Sequence, residues 1–152
     1  MRISLLMVGK TTDPRLVSLI DDYRQRLTHY VPFEWVVIPD IKNAKALSME
    51  QIKTQEGNEI LRWLTPSADV WLLDEHGREF RSIEFADFLQ KKMSTGKDLV
   101  LVIGGAYGFS PAVYQRANGK LSLSQMTFSH HMIRLMAIEQ IYRAMSILRN
   151  EP

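Results

Sequence analysis

The sequence predicts an α/β protein: a mainly parallel sheet with helices on both faces, in a single domain spanning 1–152. Three observations carry this. Strand and helix signals alternate from end to end. The strand signals include near-continuous apolar runs such as Leu99–Ile103, the pattern of strands buried on both faces. Helix starts recur behind them as Asp13-Pro14, Ser48-x-x-Gln51 and Ser110-Pro111. An alternating β-α order of this kind closes most simply as a parallel sheet.

Residues 2–8 read as the first strand. Asp13 as cap and Pro14 at the first helical position open a helix to about Tyr30. Pro32 precedes a strand at 33–38, and a polar loop with Lys42 and Lys45 follows. Ser48 and Gln51 form a capping box that opens a helix to about Leu64. Asp69–Leu73 is the next strand, closed by His76-Gly77. Ser82 is expected to cap a helix to about Thr95, stopped by Gly96. Strand 99–103, a short helix from Ser110-Pro111, a strand near 121–124 and a helix from His131 to Asn150 complete the chain.

At 152 residues the chain can bury a sizeable core. Apolar residues are 45% and charged residues 24%, a globular composition. No apolar run approaches the roughly 20 residues of a membrane span, so no membrane partner is expected. The opening run ending at Gly9 lacks a small-residue cleavage site and reads as a strand, not a signal peptide. The absence of cysteine excludes disulfides, thiolate metal sites and cysteine nucleophiles, and suits a cytoplasmic protein. A net charge of +2 does not diagnose nucleic-acid binding. Arg15, Arg24, Arg26 and His29 do gather on the first helix, either as a solvated face or as a docking surface.

In parallel sheets ligands sit beyond the carboxyl ends of the strands. Gly104-Gly105-x-x-Gly108 lies there, with bare backbone that a ligand can approach. It equally suits a tight strand-to-helix turn capped by Ser110. It has neither the Rossmann glycine spacing nor a P-loop's Gly-Lys-Ser/Thr. Leu121 to Phe128 interleaves Ser122, Ser124 and Thr127 with apolar residues, either a half-buried strand or a slot for a purine. The two strand ends, side by side, would make a pocket of main-chain contacts. Asp74, Glu75 and His76 follow a buried strand, a position shared by active-site groups and ordinary turns. No cysteine or nearby carboxylate completes a ligand set around His130 and His131, so no metal is expected. Glu139 and Arg143 stand i,i+4, the spacing of a surface ion pair. The last tract is apolar on more than one face, as a helix shared with a second copy would be.

Leu-Val-Ile-Gly-Gly-x-x-Gly-Phe-Ser, then Leu-Ser-Leu-Ser-x-Met-Thr-Phe-Ser-His, then Arg-x-x-x-x-Glu-Gln-Ile-Tyr-Arg-Ala resemble, in order and over essentially the full length, the ribosomal RNA large-subunit methyltransferase H family of the knotted SPOUT class. The resemblance implies a C-terminal trefoil knot, S-adenosylmethionine as cofactor, a homodimer, and methylation at N3 of a pseudouridine in 23S rRNA of the assembled ribosome. Carried over by position, the cofactor contacts are Leu73, Gly104 and the segment Leu123, Ser124, Gln125, Met126, Thr127 and Phe128, with Gly105 beside them. Leu73, Leu123, Met126 and Phe128 would wall the adenine. The acceptor nitrogen must lose a proton, which calls for a base or an anion stabiliser. The candidates are His130, His131, Arg134, Glu139 and Arg143. Arg143 is favoured as anion stabiliser or phosphate clamp, and His130 comes second.

Members of that family usually continue beyond the position of Pro152 with a short Tyr-His-containing tail, a candidate source of a substrate-contacting tyrosine or base. Other readings are a SPOUT methyltransferase for a different RNA position and a non-catalytic ribosome-binding factor. A flavodoxin-like nucleotide-binding domain would need a better phosphate loop than Gly9-Lys10-Thr11-Thr12-Asp13.

Overall fold

The computed structural model describes residues 1–151; Pro152 and the tail expected after it lie outside the described residues. The elements run β1 (Ile3–Val8), α1 (Pro14–Leu27), β2 (Phe33–Ile38), a 3-10 turn (Ala44–Ala46), α2 (Met49–Trp63), β3 (Asp69–Glu79), α3 (Ser82–Ser94), β4 (Leu99–Ile103), α4 (Pro111–Arg116), β5 (Gly119–Ser122) and α5 (Met132–Leu148). The five strands form one parallel sheet in the order β2-β1-β4-β3-β5.

Strand periodicity sorts the core into two layers. Ile3, Leu5, Met7, Leu99, Leu101 and Ile103 face one side, packed with Leu27 of α1, Phe85 and Leu89 of α3, and Ile138 and Ile141 of α5. Leu6, Val8, Val70, Leu72, Val100 and Val102 face the other, against Ile60 of α2 and Val113 of α4. Helices therefore cover both faces, as the buried strand runs require.

The caps act largely as their residue types predict. The Asp13 carboxylate accepts the Arg15 N–H at 2.9 Å. Ser48 and Gln51 exchange both capping-box bonds, at 3.1 and 2.8 Å. Ser110 Oγ accepts the Val113 N–H at 3.4 Å. Gly96 stops α3 at φ +76°. Four details differ. The cap of α3 is Arg81, not Ser82, and its N–H is held by the Glu84 carboxylate at 2.7 Å. The first helix ends at Leu27, short of Tyr30. The third strand is not closed by His76-Gly77 but runs through them to Glu79. The last strand ends at Ser122, so 123–128 is a loop outside the sheet.

The ends of β4 and β5 are not adjacent, because β3 lies between them. The expected two-strand pocket is thus a three-strand one, with Leu73 of β3 in the middle. After β5 the chain lines one cleft with the carboxyl ends of β3 and β4 before α5 begins. There the Arg134 guanidinium donates to Val8 O (2.8 Å), Gly9 O (2.7 Å) and Thr11 Oγ1 (3.0 Å) at the end of β1. The basic residues of α1 do not make a basic face: Arg15, Arg24 and Arg26 pair with Asp13, Asp21 and Asp22 at 2.9, 3.5 and 3.0 Å.

Candidate active site

At the end of β4 the chain turns over itself: Gly108 N–H donates to Gly105 O at 3.1 Å, with Gly108 at φ +83°. Beneath it lies Phe109, only 7% exposed. A Cβ on Gly104 would stand 3.2 Å from the Phe109 ring, and one on Gly105 would stand 2.6 Å from Glu56 Oε1. A Cβ would press on the Phe109 ring at Gly104 and displace the Glu56 carboxylate at Gly105; with glycine at both positions the main chain itself forms the wall.

The opposite wall is the loop 123–128. Among the described residues its main chain makes no hydrogen bond to another main-chain group. Only two local side-chain bonds touch it: Ser122 Oγ donates to Ser124 O at 2.9 Å, and Met126 N–H donates to Ser124 Oγ at 3.0 Å. Leu123 and Ser124 are half-buried and Gln125 to Phe128 exposed, so most of these backbone donors and acceptors are unused within the chain and can meet a ligand.

Between the walls lies a cleft of about 620 Å³, within the range of small-molecule and cofactor sites. Leu73, Gly104, Gly105, Leu123, Ser124, Met126, Thr127, Phe128 and His130 all line it. Gln125 does not. Its amide Nε2 donates to Glu79 at 2.7 Å, and it faces a neighbouring depression with Glu75 and His76. It ties the loop to the extended end of β3. Phe128 and Met126 reach the cleft but stay 40% and 79% exposed, so they form its rim more than its walls.

The other candidates separate. His130 faces the cleft, and the His131 ring lies against it, tilted by 40° with centroids 4.2 Å apart. Burial, His130 and Arg134 depress the His131 pKa against the pull of Asp40, and its Nδ1 has no partner. Arg134 is 1% exposed and committed to the end of β1, so it is unavailable to a substrate anion. Burial lowers its pKa, opposed by Asp40. Glu139 accepts from Gln140 Nε2 at 2.7 Å instead of pairing with Arg143. Arg143 is exposed and ten residues beyond cleft-lining Ile133 on α5, about 15 Å along the axis. It does not reach the cleft of its own chain. Among the described residues no three histidine or acidic side chains gather to hold a metal ion.

Two groups escape a reading of the sequence, one lining the cleft and one behind its glycine wall. Tyr114, one turn into α4, donates its hydroxyl to Asp74 Oδ2 at 2.6 Å across the cleft mouth. Burial and that carboxylate push the tyrosine pKa up to about 12. Its place one helical turn after the Ser110 cap is the one signal that could have found it. Glu56, from α2, backs Gly105, and its carboxyl is raised by burial and then by Asp40; nothing near it in sequence points there.

Comparison with known proteins agrees with this architecture. The family model described as Predicted SPOUT methyltransferase matches residues 1–152. The chain is 58% identical to the ribosomal RNA large subunit methyltransferase H of Parabacteroides distasonis and 54% identical to that of Phocaeicola vulgatus, each over 100% of this chain and 98% of the relative. Its fold is similar to the crystal structure of a probable methyltransferase from Bordetella pertussis Tohama I, with TM-score 0.54 and 13% identity over 94% of this chain and 95% of that one. The chain belongs to the SPOUT methyltransferases and, within them, to the ribosomal RNA large subunit methyltransferase H family.

Proposed function

We propose that this protein methylates 23S rRNA, transferring a methyl group from S-adenosylmethionine to N3 of a pseudouridine within the assembled ribosome. The observation that carries the cofactor part is the cleft between Gly104-Gly105 and a loop whose main chain has no main-chain partners. The rRNA part rests on relatives named as large-subunit rRNA methyltransferases. S-adenosylmethionine, when bound, supplies an electrophilic methyl group on a sulfonium. The main chain of Gly104, Gly105 and 123–128 holds the adenosine, and Leu73 and Leu123 enclose its base. His130, facing the cleft, is placed to accept the proton that the uracil-type nitrogen loses.

Arg143 serves as anion stabiliser from a second copy of the chain, because it lies too far along α5 to serve its own. Homodimerisation is supported by the exposed Met126, Phe128 and Met132 near the cleft and by the apolar residues of α5 left half-buried, Leu135 and Met136 among them. Membership of the SPOUT methyltransferases extends this reading to a C-terminal trefoil knot, a threading otherwise very rare. No helix among the described residues is long and apolar enough to cross a membrane, and a ribosomal substrate places the protein in the cytoplasm.

The test supplies labelled S-adenosylmethionine to free 23S rRNA, large subunits and whole ribosomes, then maps the product nucleoside by mass spectrometry. Label at N3 of a pseudouridine in whole ribosomes is expected. Label on another nucleoside, or none despite bound cofactor, overturns the reading.

A further inference from the structure

Leu73 and Arg78 both register with Leu121 of β5, so Asp74–Gly77 is a four-residue excursion from the ladder. Bulges of this kind re-aim side chains beside active sites. Gly77 marks where the strand rejoins its neighbour: a Cβ there would lie 2.7 Å from Leu121 N. The excursion lifts Asp74, Glu75 and His76 onto the cleft.

Asp74 is the fixed point of this lip. Its Oδ1 accepts the His76 N–H at 2.8 Å, and its Oδ2 accepts the Tyr114 hydroxyl at 2.6 Å. The carboxylate therefore bridges two walls of the cleft, one from β3 and one from α4. Burial works against its charge, but the Tyr114 hydroxyl, the His76 N–H and nearby Lys120 hold its pKa below the ordinary value. Among the described residues no lysine or arginine makes an ion pair with it. Each oxygen keeps a further lone pair. A rigid, ionised carboxylate with unused acceptor directions at one end of a nucleoside-sized cleft is a receptor for a small cation with N–H donors.

We propose that Asp74, oriented by Tyr114, is a specificity residue that receives the α-ammonium group of the methyl donor's amino-acid tail. The inference rests on S-adenosylmethionine being the cofactor. The ammonium is chosen over the sulfonium because only the ammonium carries hydrogens that can use directed lone pairs. The adenosine then lies toward Gly104 and 123–128, and the charged tail toward the β3 lip.

Three ligands separate the possibilities by calorimetry on the whole chain: S-adenosylmethionine, S-adenosylhomocysteine, which keeps the ammonium but lacks the sulfonium, and methylthioadenosine, which has neither. Asp74→Asn should weaken the first two by about tenfold, the scale of a hydrogen bond to a charged group, and leave methylthioadenosine unchanged. Tyr114→Phe should weaken the same two by about threefold through loss of one neutral-donor bond. Unchanged methylthioadenosine affinity also shows that the cleft is folded. Equal loss for all three ligands in Asp74→Asn would make Asp74 a prop for the bulge and overturn the proposal. Loss confined to S-adenosylmethionine would assign Asp74 to the sulfonium and overturn it too, as would no loss at all. If the unaltered chain binds none of the three, the cofactor reading itself fails.

Discussion

Glu56 shows how a residue far from the motifs shapes the site. Its carboxylate stands behind Gly105, where any Cβ would come within 2.6 Å of Oε1. Burial first and then Asp40 raise its pKa above the ordinary 4.5. The fold therefore favours the protonated form, and the stability this gives is fully present below the unfolded value and lost as pH rises through the folded one. Glu56→Gln, a permanent mimic of the protonated form, should be more stable than the unaltered chain at pH 7. The difference should vanish as pH falls below about 4.5, as read by urea unfolding across pH. An equal difference at both ends would show that the charge is not the cause. Arg134 is the counterpart on α5. Its guanidinium joins residues more than 120 positions apart, so its role was invisible in a sequence where it read as one of five candidates for handling the substrate's proton or charge.

Among the elements, β3 departs furthest from expectation. β1, β2 and β4 were legible because apolar residues run along them, and the capped helices because their first turns carry the right acceptors. β3 was legible only to Leu73. Beyond it, Asp-Glu-His-Gly-Arg-Glu has no apolar alternation to announce a strand, and only the pairing of Arg78 and Glu79 with β5 draws it on. The start of β5 was hidden for a related reason. Gly119 and Lys120 have little strand preference, but the Trp71 ring lies where a Cβ at 119 would sit, 2.6 Å away, so glycine is needed there. Gly77→Ala should push β3 from β5 and cost about 1–3 kcal/mol, the usual range for overpacking a tight contact, measured by urea denaturation. Unaltered stability would mean that the excursion relaxes freely and does not fix the cleft lip.

At the scale of the whole molecule, the sheet order decides what the motifs become. The glycine turn and the hydroxyl-rich segment were both recognisable as strand-end features, yet their relation was not. The order β4-β3-β5 sets Leu73 between them and brings the Asp74 lip into the same cleft. Most of the cleft lining was therefore readable from glycines and strand ends, aided by the family resemblance. Gln125 was not, because its partner Glu79 lies on a strand extension that the sequence does not advertise. Arg143 was favoured as an anion stabiliser among five candidates, and its distance from the cleft of its own chain is why the proposed function draws on a second copy.

The proposed function has a main-chain surface recognise the cofactor. Amide hydrogen exchange, followed residue by residue with and without saturating S-adenosylmethionine, tests it most directly. Slowed exchange is expected at Gly104, Gly105 and amides within 123–128, with α1 and β2 unchanged. Binding that leaves the 123–128 amides exchanging as before would contradict it, because the cofactor would then be held elsewhere or by side chains alone.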